Sequence, residues 1–344
     1  MPDDTIAHVG GRLATGLRDV TTDVAALDGP GFWVAVVTFE GTATCARFAD
    51  VRRAPLPPAG PWRGPRSAEW TTSLDRRAYT AGVAAIREHI AAGDVYQVNL
   101  CRLLSARTKA GARPDLVPLA RVLARGNPAP YAATVRLPRE GVHVACASPE
   151  LYLRRSGDII ESGPIKGTGQ TAADLLPKDV AENVMIVDLV RNDLGRVART
   201  GSVSVPALCA VEQHPGLVHL VSTVRAELAP GAGWADVLAA TFPPGSVSGA
   251  PKSSALRVIG ELEPVPRGPY CGAVGWVDGD RTEGALAVGI RTFWLSGDRL
   301  CFGTGAGITW GSDPEREWAE TELKAARLIG LATANGAKEA AGVA

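Results

Sequence analysis

Short apolar segments that alternate with polar residues come in long runs along this chain, with few helices between them. Residues 32–39 and 42–48 flank Glu40-Gly41, a pattern typical of a β-hairpin. Runs of strands with few β-α-β alternations favour an α+β fold built on antiparallel sheets. A chain of 344 residues can hold two average domains or one large core.

The remaining periodic segments predict both kinds of element. Tyr96, Val98 and Leu100 alternate with Gln97 and Asn99, which predicts a half-polar strand. Further strands are predicted at 142–153, 202–205, 272–277, 285–295 and 299–302. Helices are predicted at 74–92, 178–194, 234–240, 253–262 and 314–328.

Charge and apolar content exclude several classes of protein. Lys plus Arg equals Asp plus Glu at 36 each, so no net charge favours nucleic acid or a membrane surface. No apolar run reaches the roughly 18 residues that span a bilayer, and the acidic start, Met1 to Asp4, does not resemble a signal peptide. The expected location is the cytoplasm. The six scattered cysteines are interpreted as small buried hydrophobic residues, without disulfide or zinc roles.

One lysine stands inside a tightly turning apolar segment, Glu161-Ser162-Gly163-Pro164-Ile165-Lys166-Gly167-Thr168. Proline fixes one backbone angle and the glycines relax others, which predicts a sharply shaped loop. Taken alone, the segment favours a surface lysine in a turn. A buried lysine amine that loses its proton is instead a nucleophile near neutral pH.

Two predicted helices carry carboxylates at spacings of three and four. Asp179 and Glu182 share a face of one helix, and Glu317, Glu320 and Lys324 line a stripe of the other. For either helix alone, a solvated, salt-bridged face is the better interpretation. Carboxylates brought together from both helices would form a hard-oxygen site suited to Mg²⁺.

Two glycine-rich segments and two isolated polar residues complete the candidates. Residues 302–308 and 243–252 are predicted as turns whose N–H groups bind anions. The first is not a Rossmann fingerprint, and the second lacks the ending of a P-loop. Arg291 lies in an apolar strand, where it forms either a structural ion pair or a clamp on a substrate carboxylate. His219 lies in an apolar run, where a satisfied core histidine is the ordinary interpretation.

Taken together, these segments resemble the chorismate-utilising enzymes. The chain carries, in the expected order from about residue 70 onward, the stretches GDVYQVNL (93–100), SPE (148–150), PIKGT (164–168), AENVMIVDL (181–189), RNDLGR (191–196), HLVS (219–222), SGAPK (248–252), IRT (290–292), GAGI (305–308) and EWAE (317–320). The resemblance implies an α+β fold of two packed antiparallel β-sheets flanked by helices. It divides the chain into a shortened β-rich portion with a proline-rich connector (1–66), a chorismate-binding catalytic domain (67–332) and a flexible tail (333–344).

The resemblance also implies a role for each candidate residue. It makes Lys166 the nucleophile and Glu150 the proton donor, with His219 close to the reacting ring. It assigns substrate binding to Arg291, Tyr270, Ser246, Gly305, Ala306, Gly307 and Lys324. It places Mg²⁺ on Glu182 and Glu320, with Glu317 and Asp179 acting through water.

Within the family, Lys166, Tyr96, Asn99 and Ser246 resemble the aminodeoxychorismate synthase branch, which makes a 4-aminobenzoate and folate precursor. The implied reaction joins chorismate and ammonia through a lysine adduct, and the implied partner is a glutamine amidotransferase, since no cysteine here has a glutaminase context. The alternatives are an anthranilate synthase, a 2-amino-2-deoxyisochorismate synthase, or a non-catalytic chorismate-binding paralogue. No tryptophan-binding motif is visible, and the segment after Thr168 departs from the family pattern.

Overall fold

The computed structural model describes residues 4–108, 115–169, 171–214 and 217–333. The strands are β1 Ile6–Val9, β2 Arg12–Thr21, β3 Phe32–Val37, β4 Ala43–Arg53, β5 Thr71–Thr72, β6 Gln97–Arg107, β7 Tyr131–Leu137, β8 Val142–Ser148, β9 Leu151–Ser156, β10 Ile159–Gly163, β11 Ile165–Gly169, β12 Ser204–His214, β13 Leu217–Glu227, β14 Gly249–Ala250, β15 Ala273–Asp278, β16 Glu283–Val288, β17 Thr292–Ser296 and β18 Arg299–Ile308. The helices are α1 Arg76–Ala92, α2 Val117–Gly126, α3 Pro177–Gly195, α4 Trp234–Thr241, α5 Lys252–Leu262 and α6 Pro314–Ala332.

Every strand pair is antiparallel, and the pairs form one continuous sheet. Its order runs β12, β13, β10 with β11, β9, β16, β15, β3, β4, β2, β1, β7, β8, β17, β18 and β6, with β5 and β14 on the outer edge of β6. The α+β expectation is confirmed in its antiparallel strands and flanking helices.

The expectation of two packed sheets is wrong, because the first hairpin of the chain joins what would be two sheets into one. β1 pairs with β2 on one side and with β7 on the other, and β2 pairs with β4. The hairpin turns at Gly10 and Gly11, whose φ angles of 55° and 72° suit glycine. The short β1 alternates weakly in sequence, so pattern reasoning did not identify it.

The predicted helices agree with the structure to within four residues, and α6 is the one that extends furthest. Asp75 caps α1 and Gly93 ends it with a φ of 83°. The helix α2 and the strands β7 and β13 were not predicted. The predicted 142–153 strand is split at Pro149-Glu150 into β8 and β9.

Three clusters of buried apolar residues hold the helices on the sheet. The largest lies between the sheet and the helices α3 and α4. A second packs α2 and α6 against β17 and β18, and a third packs α1 and α5 against β6. Strands β1 to β4 belong to the same sheet as the rest, and a domain boundary at residue 66 stays a prediction. Residues 334–344 of the expected tail lie outside the described residues.

No helix in the described part of the chain is long and apolar enough to cross a membrane.

Candidate active site

Lys166 points its amine into the protein from a break between two strands. Pro164 separates β10 from β11, and the register of β11 shifts between Lys166 and Thr168, around Gly167 with a φ of 73°. Lys166 is half-buried, and its Nζ donates to the carbonyl of Ser246 at 3.5 Å. It also lies 3.7 Å from where a Cβ at Gly307 on β18 would stand. The two ends of the sheet therefore face each other across this amine, and the surface-turn interpretation is wrong.

Glu150 lies at the corner between β8 and β9 and is 5% exposed. Its carboxyl hydrogen-bonds with the Ser246 hydroxyl and accepts from the N–H of Ile165. Burial raises the pKa of Glu150 to about 7, although Ser246, the charge of Lys166 and the Ile165 amide each lower it. A carboxyl with this pKa holds its proton at neutral pH and can give it up there.

Gln97 is a site residue that sequence reasoning missed. Its strand was predicted to be half-polar, and its polar residues Gln97 and Asn99 are buried, whereas Tyr96 is 69% exposed. Among the described residues, neither Oε1 nor Nε2 of Gln97 has a hydrogen-bond partner. Nε2 lies 2.6 Å from the Cβ position of Gly307, next to Lys166. A buried carboxamide without partners is costly, which makes it a candidate for binding a ligand. A glutamine within an apolar run was the available signal.

The predicted glycine turn at 302–308 is instead the second half of β18, which pairs with β6 as far as Ile308. Glycines at 303, 305 and 307 share one face of the strand, because side chains alternate every two residues. A Cβ at Gly303 would overlap the Tyr270 ring, so the glycines permit close packing there. Beyond Phe302, no described strand covers the second side of β18, which leaves alternate N–H groups open toward the site.

Tyr270 and Lys324 lie against this same strand. Burial, together with Cys101 and Cys271, raises the pKa of Tyr270 well above its ordinary value, so its phenol stays neutral. Lys324 on α6 donates to the carbonyl of Gly305 at 3.0 Å and pairs with Glu320 at 2.7 Å. The structure therefore brings Gly305, Ala306, Gly307, Tyr270 and Lys324 together along β18.

The acids of α3 and α6 also meet. Burial raises the pKa of Glu182, Lys166 and Lys178 lower it, and Asp179 and Glu320 raise it further. Burial likewise raises the pKa of Glu317, which hydrogen-bonds with Ser312 and is repelled by Glu320. Burial acts in the same direction on Glu320, but Lys324 and the nearby lysines Lys178 and Lys166 outweigh it and lower the pKa of that carboxyl.

This cluster fits a hard divalent cation in part. No group of three or more His, Cys, Asp and Glu ligands stands close enough to hold a metal within the described ranges. Mg²⁺ needs only one or two carboxylates beside waters and a substrate anion, and Glu182 and Glu320 meet that requirement. Asp179 fits less well, because its Oδ2 already accepts from the N–H of Leu176 at 2.8 Å.

Arg291 has no hydrogen bond or ion pair from its guanidinium to any described residue, which disagrees with the structural ion-pair alternative. Burial and the neighbouring Arg327 both lower its pKa. Its backbone has a φ of 51°, a strained conformation for a residue with a side chain. Its carbonyl accepts from Ala147, two residues before the Pro149-Glu150 corner. No carboxylate among the described residues forms an ion pair with Arg291 or Arg327, so the two arginines are a candidate site for an anion.

His219 lies on β13, opposite Thr168 and one residue from Leu220, which faces Lys166. It is 2% exposed and engaged within the protein. The structure therefore places it on the strand next to the lysine, and its role stays a prediction.

The comparisons with known proteins agree on the family of this chain. The family model for chorismate binding enzymes matches residues 35–330. Anthranilate synthase component 1 of Streptomyces coelicolor is 40% identical over 299 residues, covering 81% of this chain and 57% of that protein. Aminodeoxychorismate synthase component 1 of Bacillus subtilis is 38% identical over 259 residues, covering 72% and 54% respectively. The chain thus spans a little over half the length of these curated relatives. The menaquinone-specific isochorismate synthase of Escherichia coli shares the fold, with a TM-score of 0.78 at 19% identity over 96% of this chain and 88% of that one.

Proposed function

Because this chain belongs to the family of chorismate binding enzymes, we propose that it is an aminodeoxychorismate synthase component I, converting chorismate and ammonia to 4-amino-4-deoxychorismate. The observation that carries the proposal is the half-buried Lys166 amine beside Glu150 and the glycine face of β18. A nucleophile and a proton donor at one site allow displacement of a hydroxyl, which is poor at leaving without a proton.

The reaction has two displacements. The amine of Lys166 attacks ring carbon 2 while the 4-hydroxyl leaves as water, taking the proton of Glu150. Ammonia then attacks carbon 4, and the bond between carbon 2 and Lys166 breaks. Gln97, whose two polar atoms have no partner among the described residues, binds a polar group of the ring or the incoming ammonia.

The cationic and glycine-rich surfaces of the site position the substrate. Arg291 binds one carboxylate of chorismate, and the open N–H groups of β18 bind the substrate near that carboxylate. Tyr270 and His219 orient the ring, and Ser246 aligns both Lys166 and Glu150.

Glu182 and Glu320 would hold Mg²⁺, with Glu317 and Asp179 acting through water. When bound there, the ion would supply positive charge to neutralise the second substrate carboxylate. The repulsion among these acids supports the assignment, because a divalent cation relieves it.

A glutamine amidotransferase subunit supplies the ammonia, and the pathway served is 4-aminobenzoate and folate synthesis. A second candidate is anthranilate synthase, since the Streptomyces coelicolor protein of that name is as similar, at 40% identity, as the aminodeoxychorismate synthase component 1 of Klebsiella aerogenes. Amination at carbon 2 would then replace attack by Lys166.

Product analysis decides between the two. The protein is incubated with chorismate, Mg²⁺ and excess ammonium, and the product is identified by mass and by its conversion to 4-aminobenzoate with an added lyase. Anthranilate, or no turnover with ammonium in excess, would overturn the proposal.

Lys166→Ala tests the adduct. We expect it to abolish the aminated product while chorismate still binds, because the amine acts in the chemical step. Arg257→Ala, in an exposed ion pair with Glu261, is the control and should keep full activity. Undiminished product from Lys166→Ala would exclude the covalent route.

A further inference from the structure

A small cavity with both polar and apolar lining borders Glu150. About 20 Å³ of it is open to the centre of a water molecule, and a cavity needs roughly 10–15 Å³ of such space to hold one water. Its polar lining residues are Glu150, Tyr152, Ser162, Asp193, Thr241 and Ser246. The cavity therefore connects Glu150 with Asp193, and Lys166 is not among the residues that line it.

Asp193, which lines this cavity, forms a buried ion pair with Lys252 that the proposed reaction does not use. Lys252 itself is not among the residues that line the cavity. Lys252 Nζ lies 2.7 Å from Asp193 Oδ2 and 2.7 Å from the carbonyl of Thr241. The side chains of Lys252 and Asp193 are 17% and 7% exposed, so the lysine edge of the pair reaches solvent. Burial raises the pKa of Asp193 and lowers that of Lys252, and Arg196 is the one other charge acting on both.

The proton balance of the proposed reaction requires that Glu150 be reprotonated after each turnover. If neutral ammonia adds to chorismate and the product keeps all three ammonia hydrogens as an ammonium group, the water that leaves carries one proton from Glu150. Each turnover thus removes a proton from Glu150, which is 5% exposed and faces the substrate. Proton transfer to Glu150 through the cavity would not require solvent to reach it from the substrate side of the site.

We infer that the Asp193–Lys252 pair reprotonates Glu150 through one water in this cavity. The water donates a proton to the Glu150 carboxylate and accepts one from the pair, and the pair regains its proton from solvent at Lys252. Only O–H and N–H bonds change. The inference rests on the proposed role of Glu150 as proton donor.

The first test separates the first turnover from later ones. The variant Asp193→Asn/Lys252→Met removes both charges together, so no unpaired buried charge remains. At pH 6, below the pKa of about 7 that burial gives Glu150, most of this carboxyl begins protonated. Rapid-quench kinetics should therefore show a first turnover at the native rate and a steady-state rate at least tenfold slower. A weak-acid buffer should restore the variant's steady state in proportion to its concentration and leave the native enzyme unchanged.

Two further variants control for folding and for the cavity itself. Ser162→Val fills the cavity without touching the pair and should reproduce the slow steady state. Asp28→Asn/Arg155→Met removes an ion pair of 2.9 Å outside the cavity and should behave as native. Equal slowing of first and later turnovers, or an unchanged steady state, would overturn the inference.

A measurement without turnover keeps this inference separate from the proposed function. The carboxyl stretch of Glu150, assigned by its loss in Glu150→Gln, is followed by infrared spectroscopy after transfer into D₂O. We expect slower exchange in Asp193→Asn/Lys252→Met and in Ser162→Val. Unchanged exchange would refute the relay even if chorismate is aminated, and slow exchange would support it even if the product is anthranilate.

Discussion

At the scale of single residues, the site is made of groups that are unfavourable for stability. Glu150 is a buried carboxyl, and Arg291 has a strained backbone. Gln97 is a buried amide that lacks a hydrogen-bond partner in the described part of the chain. Each would be selected against in a core that served packing alone. Their meeting at one place argues for a ligand that satisfies them.

Replacing Gln97 by methionine should stabilise the protein and impair the site. The variant removes two unsatisfied buried polar atoms, each costing about 1–3 kcal/mol, at nearly constant volume. We expect a higher urea midpoint together with weaker chorismate binding by calorimetry. A lower midpoint would mean that an internal water or partner already satisfies the amide.

Glu150 should make stability depend on pH. Its pKa is raised on folding from 4.5 to about 7, so the folded state is favoured below pH 4.5 and loses roughly 3 kcal/mol as the pH rises through 7. Glu150→Gln should therefore be more stable than the native protein at pH 8.5 and similar at pH 5. Activity of the native enzyme should fall above about pH 7, as the carboxyl loses its proton. A stability difference independent of pH would contradict this.

At the scale of elements, one arginine on β6 holds α6, the helix that carries Glu317 and Glu320. Arg102 is 2% exposed, and it donates to Thr321 at 3.0 Å and to Glu322. Its guanidinium lies 4.1 Å from the ring centroid of Trp318. All three partners belong to α6, next to Glu317 and Glu320, so Arg102 sets the rotation of that helix.

Arg102→Met should loosen α6 and weaken Mg²⁺ binding. We expect a loss of about 1–3 kcal/mol in unfolding free energy from the broken hydrogen bonds and a several-fold weaker Mg²⁺ affinity by calorimetry. Arg316→Met, an exposed change on the same helix, is the control. Native Mg²⁺ affinity in a destabilised Arg102→Met would show that the acids do not depend on this anchor.

At the scale of the whole molecule, the first hairpin makes one cooperative sheet out of two halves. Ala7 on β1 is fully buried and lies opposite Ala14 on β2 and Val135 on β7. The site residues, from Gln97 to Lys324, come from both halves. Their mutual placement therefore depends on a hairpin that contributes no chemistry.

Ala7→Asp should impair the whole protein although it lies far in sequence from the site. A buried, unpaired charge on β1 costs several kcal/mol, and its effect should reach both halves of the sheet. We expect a lower urea midpoint in one cooperative transition, with chorismate binding lost at the same midpoint. Arg18→Asp, on an exposed position of β2, should change little. Two separate transitions would mean that the halves fold independently.

Sequence patterns predicted the helices well because their apolar spacing and caps act locally, as at Asp75 and Gly93. They failed where neighbours decide the outcome. The glycines at 303, 305 and 307 indicate a turn in isolation, and become a strand because Tyr270 and β6 pack on them. The half-polar pattern around Gln97 likewise did not show that this side chain is buried. The gathering of Lys166, Glu150 and the α6 acids came from motif resemblance, since spacing alone does not bring distant segments together.

The pairing of distant strands also bears on how the protein is made. β3 pairs with β15, and β6 with β18, so each waits for a strand roughly 200 residues later in the chain. Contacts of such long range slow folding. During synthesis, the edge of β6 that pairs with β18 stays unpaired until β18 emerges from the ribosome. Until then no β18 strand faces the Lys166 amine. Fragments that stop short of Arg299 should accumulate as aggregates, because their unpaired edges can join neighbouring chains.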